Sequence, residues 1–378
     1  MVVFAPISAA SPAPCKVVDQ THPFAVPQTS MSSAVGLAQS NDALKVSGTC
    51  RGDTTISRNL TIKGNGSATL NGNNSSSNPG SVVTVNAGVV AISGLTITGG
   101  YAVTANPVTF VGGGIDITGG TLALTKVSVT HNTSLEGGGI YSNGTLTLNN
   151  SSVTANSATD GGGIYNQRSS PGPGTLTLNN SSVTRNTGLE GGGIFNFGGP
   201  GGTGPVTLKN SSVTANTAGD GGGIFNFVDQ PGTGAVTLAN SSVTGNTAAQ
   251  LGGGIYNLVN GNTTASSTLT LTKSTVKGNI AQLGGGIYNF GDDGTAILTL
   301  NSSSVIANTA ADGGGIYNLG APSTGIATLT LAGAAIVKGN TATGGTNSGG
   351  GIFNNSGTLF NCIAGVNVKN NTPDNIVG

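Results

Sequence analysis

The tetrapeptide Gly-Gly-Gly-Ile occurs nine times in this chain, starting at Gly112, Gly137, Gly161, Gly191, Gly221, Gly252, Gly284, Gly313 and Gly349. Between Gly137 and Gly161 the unit reads GGGIYSNGTLTLNNSSVTANSATD. It contains three short pieces, GIYS, TLTL and SSVT, in which Ile, Leu, Val and Thr alternate with polar residues and Gly or Asn stands at the breaks. That is the pattern of strands and turns, and each piece is too short for a helix. Such a unit cannot bury its own apolar face, and each strand can pair only with its copy in the next unit. The repeat therefore predicts an all-β chain, a single right-handed parallel β-helix of about a dozen coils, roughly 55 Å long at ~4.8 Å per coil.

Two asparagine columns agree with this. The last strand of each unit closes on Asn132, Asn156, Asn186, Asn216, Asn246, Asn279, Asn308, Asn340 and Asn371, and Asn166, Asn196, Asn226, Asn257, Asn289, Asn318 and Asn354 follow the GGGI[YF] segment. Asparagine tolerates the left-handed region at a turn, and its amide can bond an identical amide one coil away. Ile140, Leu146, Leu148 and Val153, with their counterparts, are the expected inward residues. Length varies at one corner, from four residues between Ser142 and Leu146 to twelve between Asn257 and Leu269. Insertions held to one corner mark a functional face, here between Gln167 and Ala327.

Residues 1–28 read either as a signal remnant or as an unordered extension. Residues 29–111 read as an N-terminal cap with irregular first coils, and 112–378 as the regular repeat with a C-terminal cap. Ser30 to Asn41 places Met31, Val35 and Leu37/Ala38 on one side, as a short capping helix would. Cys15 and Cys50 can close a disulfide in the N-terminal part, whereas Cys362 stands alone.

Charged residues make up 7% of the chain and the net charge is zero, which excludes a nucleic-acid binder driven by electrostatics. No run approaches the ~20 apolar residues of a transmembrane helix. No Ser-His-Asp, Cys-His or metal-ligand cluster stands out, and no cofactor is expected.

Three sets of residues are candidates for function. Glu136, Asp160, Glu190, Asp220 and Asp312 directly precede a triple glycine, with Leu251 and Leu283 in the same place. The first four would stack ~4.8 Å apart, with alternate ones ~10 Å apart, near the separations of glycosidase carboxylate pairs. The enzyme alternative, a polysaccharide lyase or glycoside hydrolase, would use Glu136, Asp160 and Glu190 with Arg185, which like His131 fills the x of V-T-x-N. A catalytic site breaks its repeat, however, so the acids read first as a solvated edge, with weak calcium bridging by Glu136, Asp160, Glu190 and Asp220 as the other means of relieving their repulsion.

The second set is an outward apolar stripe for binding, made of Tyr165, Phe195, Phe197, Phe225, Phe227, Tyr256, Tyr288, Phe290 and Tyr317, covered either by the inserts or by a partner. The third is a threonine column, Thr147, Thr177, Thr207, Thr237, Thr270, Thr299 and Thr330. A second T-x-T column beside it is broken by Pro205, Ala235 and Ile297. Flat arrays of this kind resemble ice-binding faces.

From Gly112 to Asn371, GGGI[YF]N and V-T-x-N resemble the GG[AI]I and FxxN motifs of secreted or surface-exposed bacterial β-helix proteins with polymorphic outer membrane protein repeats, valine replacing the phenylalanine. Asp42 to Asn74 is similar to the opening coil of pectate-lyase-like β-helices. The resemblance implies a secreted or cell-surface protein with an adhesive or structural role, whose partners would be surface glycans, proteins or other copies of itself.

Overall fold

The computed structural model describes residues 12–103, 111–167, 174–199, 204–229, 231–261, 263–321 and 324–378. The chain is an all-β parallel solenoid that winds as a right-handed β-helix. The nine GGGI segments supply nine strands of a 12-stranded parallel sheet, and the TLTL-type and SVT-type strands share a 23-stranded one. Register follows the sequence repeat: Ile140 pairs with Ile164, Ile164 with Ile194 and Ile194 with Ile224. Likewise Leu146 pairs with Leu176, and Val153 with Val183. All of these side chains are fully buried in one continuous core. Each such side chain contributes about 1.5–3 kcal/mol relative to its exposed state.

The two asparagine columns form hydrogen-bonded ladders. Asn156 donates its Nδ2–H to Asn186 Oδ1 at 3.0 Å and to the Val129 carbonyl at 3.1 Å, and its backbone N–H to the same Oδ1 at 3.0 Å. The second ladder runs Asn166 to Asn196 to Asn226 to Asn257, at 2.8 Å per step. A third ladder is built from serines: the Ser151 N–H donates to Ser181 Oγ, and the bond repeats through Ser211, Ser241, Ser274 and Ser303. All three satisfy polar groups inside the wall, where an unpaired one would cost about 1–3 kcal/mol.

The left-handed residue at the turn is not the ladder asparagine. It is the residue before it, at positive φ in His131, Ala155, Arg185, Ala215 and Ala307 and in Gly245, Gly278 and Gly339. The asparagine amide is committed to cross-coil bonds, so the bend falls one residue earlier.

The N-terminal end is closed by β1 (Lys16–Asp19), α1 (Met31–Leu37), β2 (Asp42–Ser47) and β3 (Thr49–Arg51). Ser30 caps α1 by accepting the Ser33 N–H, and Met31, Ala34 and Val35 are buried. Leu37 is exposed, and Ala38 takes the inward position that the periodicity shared between the two. Strand β1 runs antiparallel to β2, and a Cys15–Cys50 disulfide ties it to β3. The cap therefore draws on residues upstream of 29. Residues 1–11 lie outside the described residues.

Candidate functional site

The acidic column stacks as the repeat requires. Glu136 bridges Asp160, Asp160 bridges Glu190, and Glu190 bridges Asp220, and farther along Leu251, Leu283 and Asp312 bridge in turn. The first glycine of each following triplet has a φ near 60°, a conformation open to glycine without a Cβ penalty. At Gly191 a Cβ would meet the Phe195 Cβ at 2.8 Å, so the turn lies directly against the aromatic column.

The rings of that column point away from the core and contact one another, face to face at some steps and edge-on at Phe195–Phe225 and Tyr288–Tyr317. Ring centroids are 5.5 Å apart for Tyr141–Tyr165, 5.0 Å for Tyr165–Phe195, 4.6 Å for Phe225–Tyr256 and 5.0 Å for Tyr288–Tyr317. Tyr165, Phe195, Phe225, Tyr256, Tyr288 and Tyr317 are buried in a second apolar cluster outside the solenoid core. Leu251 and Leu283 pack against it from one side, and Phe197, Phe227, Leu258, Phe290 and Leu319 from the other. The turns and the neighbouring apolar column cover the first column of rings. Of the nine residues expected in an outward stripe, Phe197, Phe227 and Phe290 are the half-buried ones. They align in register with Gln167, Leu258 and Leu319. Beside them, where the strands lengthen to Ile224–Asp229 and Ile255–Asn260, Val228, Val259, Ala265 and Ala296 form a small core of their own. The inserts at 168–173 and 200–203 lie outside the described residues.

This packing changes the state of the acids. Glu136, Asp160, Glu190 and Asp220 are half-buried beside the rings instead of standing free in solvent. Burial, reinforced by the Asp160 charge, pushes the Glu136 carboxyl up to about 7, and its Oε2 has no hydrogen-bond partner. Asp116 occupies the aromatic position one coil earlier, paired with Tyr141. Burial raises it to about 7 against an opposing hydrogen bond from the Gly112 backbone. Burial also raises Asp160, Glu190 and Asp220. Proton uptake by Glu136 is thus a way of relieving the repulsion that the sequence reading left to screening or calcium. No three of the stacked acids bring ligand atoms within 4.8 Å of one another, among the described residues.

A pH dependence follows. The folded state binds protons on Glu136 and Asp116 that the unfolded chain releases near pH 4, so between about pH 4 and 7 stability falls as pH rises. After allowance for solvent screening, each group contributes roughly 1–2 kcal/mol to this trend. The melting temperature is expected to be several degrees higher at pH 5 than at pH 8, and Glu136→Gln should flatten the profile by raising the pH 8 value. A profile that rises from pH 5 to 8 would contradict the assignment.

Arg185 and His131 are exposed. The ion pair found among the described residues is His22–Asp42, so Arg185 is not paired with Glu190. The threonine columns are in register, Thr145 with Thr175 and Thr147 with Thr177, and Thr207, Thr237, Thr270, Thr299 and Thr330 continue the column of Thr147 and Thr177. One cluster escaped the sequence reading: Asp19, His22 and Asp42 converge in the cap. The Asp-x-x-His spacing was its only local signal.

The fold and its columns define a parallel β-solenoid with an external aromatic ladder. No known family model, characterised protein or solved structure matches the chain. No helix among the described residues is long and apolar enough to cross a membrane.

Proposed function

We propose that this chain is an extracellular, non-enzymatic structural or adhesive solenoid, secreted or held at a cell surface, that binds through its insert-bearing face between Gln167 and Ala327. The observation that carries the reading is that the acidic column follows the repeat. Its members bridge coil to coil from Glu136 to Asp220, and the Leu251 N–H donates to Asp220 Oδ1 at 3.0 Å where leucine takes over the same position, which supports reading the carboxylates of the enzyme alternative as part of the scaffold. The Cys15–Cys50 bond suits an oxidising compartment, as does the resemblance to surface β-helix repeats. Phe197, Phe227 and Phe290 offer half-exposed apolar faces beside the inserts, suited to stacking on sugar rings or to a protein surface.

The test is retention on glycan arrays and on intact cells. The Phe197→Ser, Phe227→Ser double variant is expected to lose at least about tenfold in retention, the effect of losing ~1.4 kcal/mol. Turnover of acidic or neutral glycans that Asp160→Asn abolishes would replace this reading with the enzyme. Thermal hysteresis lost in Thr177→Tyr would replace it with ice binding, the use to which the in-register threonines lend themselves.

A further inference from the structure

Asp19 ends β1, His22 stands in the turn that follows, and Asp42 opens β2. The antiparallel pairing of β1 with β2, in which Asp19 faces Leu44, brings the three together. One carboxylate oxygen from each aspartate and one ring nitrogen of His22 all lie within 4.8 Å of one another. Asp19 is 2% exposed and Asp42 fully buried, while the His22 side chain is 54% exposed.

The hydrogen bonds leave this cluster incomplete. Asp19 Oδ1 accepts the N–H groups of Thr21 at 2.8 Å and His22 at 3.0 Å. Asp42 Oδ2 accepts the Gln39 N–H at 2.6 Å, and its Oδ1 lies 2.6 Å from His22 Nδ1. Asp19 Oδ2 is buried and has no partner at all. Neither carboxyl pairs with a lysine or arginine among the described residues. Asp42 alone holds the imidazole, Asp19 has no cationic partner among the described residues, and its unpaired buried oxygen points to a missing positive one.

We propose that Asp19, His22 and Asp42 bind one divalent cation of the zinc class, which staples β1 to the first coil. An imidazole nitrogen with two carboxylate oxygens is a borderline donor set. It suits zinc with water in the fourth position, on the exposed side of His22, and not calcium, which takes six to eight oxygens. Zinc ligands stand ~2.0–2.2 Å from the ion, so a small closure of the three donors would complete the site and give Asp19 Oδ2 a partner. The location gives the cation a purpose. Strand β1 covers an end of the solenoid where strand edges would otherwise be open. The disulfide fixes β1 at its Cys15 end, and the cation would fix it at Asp19.

The test uses the full chain, stripped with EDTA, dialysed and titrated with zinc chloride by calorimetry, with metal analysis and melting curves alongside. The expected result is uptake of one equivalent per chain with a rise in melting temperature. His22→Ala and Asp19→Asn should each abolish both effects. Because His22→Ala also takes away the side-chain partner of buried Asp42, the readouts are zinc uptake per chain and the zinc-induced rise above each variant's own melting temperature in EDTA. Uptake that survives both variants would place the metal elsewhere, at His131 or Cys362 for example, and overturn the proposal. No stoichiometric uptake would overturn it too, as would Asp19→Asn raising the melting temperature without zinc, which would identify a carboxyl pair sharing a proton.

Discussion

Asn216→Asp is expected to destabilise the protein by about 3–5 kcal/mol at neutral pH, the scale of a broken buried polar network. Asn216 sits in the middle of its ladder and is fully buried. Its Oδ1 accepts the Asn186 backbone N–H at 2.9 Å and the Asn186 Nδ2–H at 3.0 Å. Its Nδ2 donates to the Val183 carbonyl and to Asn246 Oδ1, both at 3.0 Å. A carboxylate there would point a charged acceptor at two acceptors, with water excluded. Protonation would restore one donor, so the loss should shrink steadily as pH falls from about 7 toward 4. Asn216→Ala should cost a similar amount, because it leaves four groups on three neighbouring residues one bond short. Coils of a solenoid are coupled mainly to their nearest neighbours, so hydrogen exchange should accelerate first around Val183, Val213 and Val243. Urea denaturation within 1 kcal/mol of wild type would show that the ladder contributes little.

Gly192→Ala is expected to cost about 3 kcal/mol, at the upper end of overpacking effects. A Cβ on Gly192 would lie 2.5 Å from the Thr217 carbonyl oxygen and 2.7 Å from the Gly222 carbonyl oxygen. Both are backbone atoms of the next coil, held in place by their own ladders, and cannot move aside as a flexible side chain would. Relief would require two coils to separate locally. Gly36→Ala is the control. A Cβ at Gly36, within α1, meets nothing within 4 Å. That change should be neutral or stabilising by up to ~1 kcal/mol, through the lower entropy of the unfolded chain. Equal effects of the two substitutions on the melting temperature would refute the packing argument.

The second asparagine ladder was legible for the same reason as the first. When each strand pairs with its own copy, aligning the repeats is the same operation as pairing the strands, so the columns Ile140–Ile164–Ile194 and Asn166–Asn196–Asn226 could be written down from sequence spacing. The serine ladder was equally present, as the serine two positions before each valine of the last strand from Ser151 to Ser303, but serine is common in turns and gave no reason to expect a buried bond.

The sequence by itself determined which residues share a column and which of them face inward, because both follow from a two-residue strand period and a repeat that pairs with itself. Only the tertiary structure decided what covers the outward residues. Strand alternation places Phe195 outside the core, yet whether it meets water depends on the path of the Gly191 turn, which brings the acidic column and Leu251 and Leu283 alongside the rings. Burial against those rings is also what pushes Glu136 up to about 7, an effect of surroundings that residue type does not carry. The Asp19–His22–Asp42 cluster likewise depends on β1 turning back antiparallel to β2. That reversal lies outside the repeat, where periodicity has nothing to say about which distant residues meet.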